Sequence, residues 1–92
     1  MTQIDTSKAA DAIKRGDNIE AMRLLKSNLK KDENHIDSLY LAAVSSRYLK
    51  NYDDSKKYIE SLLTNAPDMG RAYQELGHLN RDREMKKINQ AY

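Results

Sequence analysis

Apolar residues recur along this chain at helical spacing, block after block, with polar residues filling the positions between. Ala9, Ala12 and Ile13 share one face of a helix expected from about Thr6 to Arg15. Gly16 follows, and glycine adopts the left-handed conformation that ends a helix without steric cost. Asp17 or Asn18 suits the cap of a second helix running to about Lys31, with Ala21, Met22, Leu25 and Leu29 as its apolar stripe. The next block, Leu39-Tyr40-Leu41-Ala42-Ala43-Val44, is apolar nearly all round, the pattern of a helix with neighbours on more than one side. Asn51 then stands as the turn residue and Asp53 as the cap of a fourth helix, in which Ser55, Tyr58, Ile59, Leu62 and Leu63 face inward. Pro67 closes that block, and Asp68 suits the cap of a fifth helix expected to cover its predecessors with Tyr73, Leu76 and Gly77. Beyond Leu79 the chain turns polar. Met85, Ile88, Ala91 and Tyr92 read as the start of a separate helix after a loose connection, frayed past about Lys86 or ordered by self-association.

These blocks repeat. At an offset of about 34 residues, Gly16-Asp17-Asn18 falls on Lys50-Asn51-Tyr52, Leu24-Leu25 on Tyr58-Ile59 and Leu29 on Leu63, with no gaps. A further step places Leu39-x-x-Ala42-Ala43 on Tyr73-x-x-Leu76-Gly77. The expected fold is all-α, a single domain of antiparallel helical hairpins in units of about 2–35, 36–69 and an incomplete 70–92.

The same residues resemble the tetratricopeptide repeat (TPR). Its pattern is a large residue followed by leucine and a small residue, then a small–large pair, then proline. Tyr73-Gln74-Glu75-Leu76-Gly77 matches the opening; Leu39-x-x-Ala42-Ala43, Ser55-x-x-x-Ile59, Ala21-x-x-x-Leu25 and Pro67 follow with conservative changes. Asp5, Glu33, Ser46 and Asn80 depart from it. The resemblance implies a short right-handed solenoid of about two and a half repeats. It also implies a concave surface lined by the opening helix of each unit. The runs LYLAAVSSRYL and APDMGRAYQELGHLNRD are similar, more narrowly, to repeats that precede sulfotransferase-like domains in some bacterial proteins. That likeness implies an alternative function, as the regulatory or targeting region of a larger transferase.

Charge changes little in this picture. Lysine pairs at 30–31, 56–57 and 86–87 sit among acidic residues, the formal net charge is only +2, and the six aromatics show no stacking pattern, so nucleic acid is not an expected partner. The chain has no cysteine, which excludes thiolate metal sites and disulfides and suits a reducing, cytoplasmic setting. No stretch has the length or apolarity of a signal peptide or membrane span, so no membrane role is expected.

Catalytic candidates are weak. His35 and His78 lack a second ligand one helical turn away, the acids Asp5, Asp53 and Asp54 fall at helix starts where capping explains them, and the three glycines are isolated. The chain is expected to be no enzyme and to use no cofactor or metal. The expected function is a protein-interaction scaffold that captures a peptide or helix in its groove, as a monomer or with weak self-association through the incomplete last repeat. Candidate groove residues are Tyr40, Val44, Arg47 and Tyr48, then Arg71, Gln74, His78 and Arg81; Thr6, Ala10 and Lys14 extend the row. The tyrosines equally suit covering a neighbouring hairpin. Where relatives grip acidic chaperone tails with a Lys, Asn and Arg cluster, this chain has Thr6, Ala10, Leu41, Arg71 and Glu75. Only Arg71 offers the needed chemistry, and Glu75 is expected to repel such a tail.

Overall fold

A computed structural model describes residues 4–91. Its elements are α1 (Ser7–Lys14), α2 (Asn18–Lys31), α3 (Ile36–Tyr48), α4 (Tyr52–Asn65) and α5 (Gly70–Ala91), with no strand among the described residues. The connections Arg15–Asp17, Asp32–His35, Leu49–Asn51 and Ala66–Met69 are short, so consecutive helices fold back and pack on one another. The body measures 52 × 29 × 18 Å.

The sequence offset reappears in the backbone. At the end of α1, Gly16 N–H donates to the Ile13 carbonyl and Asp17 N–H to that of Ala12, at 2.9 and 2.8 Å. At the end of α3, Lys50 N–H donates to Arg47 and Asn51 N–H to Ser46, again at 2.9 and 2.8 Å. Both are Schellman closures, which satisfy carbonyls that the helix end leaves without partners. The left-handed residue is Gly16 (φ +80°) in the first and Lys50 (φ +65°) in the second. The other two connections match as well: Asp32 N–H donates to Asn28 and His35 to Asp32, as Ala66 does to Leu62 and Met69 to Ala66.

Three local expectations are corrected here. Lys50, not Asn51, takes the left-handed turn, and Asn51 becomes the N-cap of α4 without a capping side-chain bond. Asp53 therefore lies inside the first turn of α4. Asp68 falls in the turn before α5, one residue too early to cap it. Of the pair Asp17 and Asn18, Asp17 is the cap, its carboxylate accepting Glu20 N–H at 3.2 Å. His35 caps α3 through Nδ1, which accepts Ser38 N–H at 3.3 Å.

A left-handed conformation costs a residue with a Cβ about 1–2 kcal/mol, and glycine escapes that cost while losing more chain entropy. Lys50→Gly is accordingly expected to raise the urea-unfolding free energy by up to about 1 kcal/mol. A loss of stability would contradict the role of φ at this turn.

Helix α3 is the hub, touching α1, α2, α4 and α5. Ala9, Ala12, Ala21, Met22, Leu25 and Ala42 form one cluster joining α1 and α2 to it. Leu39, Leu62 and Ala72 form a second, and Ala43, Ile59 and Leu79 a third, both joining α3, α4 and α5. The fully buried Ala42 and Ala43 let helices approach α3 from two sides, as its all-round apolar block requires.

The last helix differs from expectation in two ways. It runs unbroken from Gly70 to Ala91, with no loose connection and no separate helix starting near Ile88; Tyr92 lies outside the described residues. Glu84 stands where the offset puts Gly16 and Lys50, and Arg83-Glu84-Met85-Lys86-Lys87 are all good helix formers, so nothing breaks the helix there. Arg83 ties it to Asp53 at 2.9 Å. Its inward stripe is Ala72, Glu75, Leu76 and Leu79, while Tyr73 and Gly77 are exposed. Their counterparts Leu39 and Ala43 are buried under α4, and among the described residues no further helix lies on that side of α5.

Candidate functional site

Helices α3 and α5 lie side by side, and the residues proposed to line a groove fall where they meet. Tyr40, Val44 and Tyr48 recur every fourth position on α3, so they stack along one face. Arg71, Gln74, His78 and Arg81 form the matching row on α5 and are all exposed. Met85, at 53 % exposure, continues that row by the same spacing, a residue that the sequence reading left out of it. Tyr40 and Val44 are half-buried, whereas Tyr48 is 53 % exposed.

Arg47 occupies a different place. It is 9 % exposed and forms the floor between the rows. Its Nε donates to Glu75 Oε2 at 2.6 Å and Nη2 to Glu75 Oε1 at 3.2 Å, while Nη1 donates to Asp82 Oδ2 at 2.9 Å. This forked pairing bolts α3 to α5. Burial pulls the guanidinium toward its neutral form, but the bonds to Glu75 and Asp82 more than offset it, so its pKa stands above the ordinary value. Arg47 is thus offered to a ligand only if that pair is broken. Glu75, expected to repel an acidic ligand, is 3 % exposed and has its charge matched by Arg47.

Two guanidinium groups lie over tyrosine rings: Arg47 over Tyr48 at 4.7 Å, and Arg71 over Tyr40 at 4.8 Å. They differ in what remains free. The donors of Arg47 are committed inward, but no carboxylate lies within ion-pair distance of Arg71 among the described residues. Arg81 Nη2 lies 3.1 Å from His78 Nδ1, and its Nε is 4.0 Å from Asp82. Farther along α1, Thr6 and Ala10 are half-buried and Lys14 is exposed.

At the far end of the row a recess of about 470 Å³ opens between α5 and the α3–α4 turn, lined by Lys50, Tyr52, Asp82, Met85, Lys86 and Asn89. A larger one of about 540 Å³ lies behind it, around Asp53, Asp54, Arg83 and Lys87. Neither is lined by a residue of the Tyr40–Tyr48 row. No helix among the described residues is long and apolar enough to cross a membrane.

No family model matches this chain, and neither a curated protein nor a solved structure matches it.

Proposed function

We propose that this chain is a tetratricopeptide-like interaction module that captures a peptide or helix of another protein across the α3–α5 face. The observation that carries the reading is the paired helix closures at Gly16 and Lys50, recurring at the sequence offset with the same two hydrogen bonds. Repeated hairpins of this kind bury one side of each helix against the next and leave the other side as a continuous surface. Along it, Tyr48, Gln74, His78 and Arg81 are exposed beside half-buried Tyr40 and Val44, a mixture of apolar area and hydrogen-bonding groups suited to peptide recognition. The Arg47 pair holds the two rows at fixed spacing, so little ordering is needed on binding. The absence of cysteine supports a cytoplasmic setting. The module works without chemistry of its own.

Selection from a phage-displayed random peptide library tests the reading. Peptides enriched on the chain are expected to lose about tenfold or more in affinity for Tyr48→Ala, since aromatic anchors carry much of such binding. They should bind Lys57→Glu, on the exposed side of α4, unchanged. A library that yields no binder, or binders sensitive only to Lys57, would remove the groove.

A further inference from the structure

We propose that α5 pairs antiparallel with α5 of a second copy of this chain through its outer face, closing a two-fold dimer centred between Asn80 and Arg81. The dimer uses the side of α5 turned away from α4 and stands whether or not the α3–α5 face captures a peptide.

The repeat marks this face as one that is ordinarily covered. Tyr73 and Gly77 stand where α3 has Leu39 and Ala43, which α4 buries. On α5 the same positions have no such cover among the described residues, and Tyr73, Gly77, Asn80, Glu84 and Ile88 form an exposed stripe along the helix. Arg81 borders it on the groove side.

A second copy is the occupant that the stripe fits. Residues 73, 77, 80, 81, 84 and 88 stand at steps of 4, 3, 1, 3 and 4, so turning the helix end for end lays the row on itself. An isologous contact requires each position to suit its counterpart, and these do. Tyr73 meets Ile88 of the second copy, apolar against apolar, and the other half repeats the contact. Gly77 meets Glu84, and without a side chain there the helix axes can approach to about 8 Å. Arg81 of the second copy then lies within side-chain reach of Glu84, giving one ion pair on each side of the axis. Within one chain both groups are only loosely held, Glu84 at 3.6 Å from Lys87 and Arg81 at 4.0 Å from Asp82, in solvent-exposed pairs that exchange at little cost. Tyr73 is already positioned, because its hydroxyl donates to the Pro67 carbonyl at 3.0 Å. The contact runs about 22 Å from Tyr73 to Ile88. That is short beside interfaces that bury about 800 Å² per partner, so the dimer is expected to dissociate readily.

Sedimentation equilibrium of the whole chain, from micromolar to millimolar concentration, is expected to show monomer and dimer and no larger species. Gly77→Arg should weaken the dimer about tenfold or more, by bulk and charge at the closest approach. A Cβ added at Gly77 meets nothing within 4 Å in the single chain, so helical circular dichroism and the thermal midpoint of the monomer should hold. Glu84→Arg should weaken the dimer too, and Glu84→Arg combined with Arg81→Glu should restore it by exchanging the two charges. A chain that stays monomeric up to millimolar concentration, a Gly77→Arg variant as dimeric as the parent, or association that continues past the dimer would overturn the proposal. Library peptides that shift the amides of Tyr73, Gly77 and Ile88 while the free chain forms no dimer would give this face to a foreign helix instead.

Discussion

Arg47→Ala is expected to lower the unfolding free energy by about 3–5 kcal/mol, the usual consequence of removing one partner from a buried ion pair. The change strips Glu75 of two hydrogen bonds and Asp82 of one, leaving a carboxylate that is 3 % exposed without a counter-charge. A domain of this size has a total stability of about 5–15 kcal/mol, so much of it would go. Urea melts followed by circular dichroism measure the loss. The double variant Arg47→Met with Glu75→Leu should recover most of it, because the cost lies in the uncompensated charge rather than in any net strength of the pair. A single variant within about half a kcal/mol of the parent would mean that the pair behaves as a solvated surface bridge.

Ile59→Ala should cost about 2–5 kcal/mol through loss of buried hydrocarbon and the cavity it leaves. Ile59 is 1 % exposed and packs with Ala43 and Leu79, so it touches the helices on both sides of α4. The matched control is Ile19→Ala: Ile19 is 75 % exposed, and its loss should change stability by no more than about half a kcal/mol. Equal effects at the two positions, seen in the same denaturant series, would contradict the packing described for α4.

Much of the helical order was legible because it is written in local terms. Gly16 marks a left-handed turn by its chemistry alone, and the stripes Ala9-Ala12 and Ala21-Met22-Leu25 are buried as their spacing requires. The second turn was harder to read, since a lysine in the left-handed conformation carries no compositional signal. The offset alone pointed to Lys50, by aligning it with Gly16. The polar run beyond Leu79 predicts a break that α5 does not have. Polarity there reflects a face with no helix packed on it among the described residues, whereas continuity depends on helix formers, and no glycine or proline follows Gly77.

The candidate face was legible as rows of residues, but not the division of labour within it. Arg47, Glu75 and Asp82 are far apart in the chain, and charged residues at helical spacing read as solvent-facing. One signal was available. Arg47 follows Leu39 and Ala43 at steps of four, and Glu75 follows Ala72 at three, so each continues an inward stripe, with opposite sign. Opposite charges on inward positions of neighbouring helices indicate a buried pair rather than two groove ligands. The half-buried Tyr40 under Arg71, likewise, could not be separated from simple hairpin cover until the two helices were placed side by side.

The central claim, that partners are captured on the α3–α5 face, is tested most directly by amide-resolved NMR of the isotopically labelled chain titrated with a library-selected peptide. The predicted result is shifts concentrated at Val44, Tyr48, Gln74, His78 and Arg81, saturating together, with the exposed positions Lys26, Lys56 and Glu60 of α2 and α4 unmoved. Shifts concentrated on those outer positions, with the α3–α5 row unchanged at saturation, would contradict it.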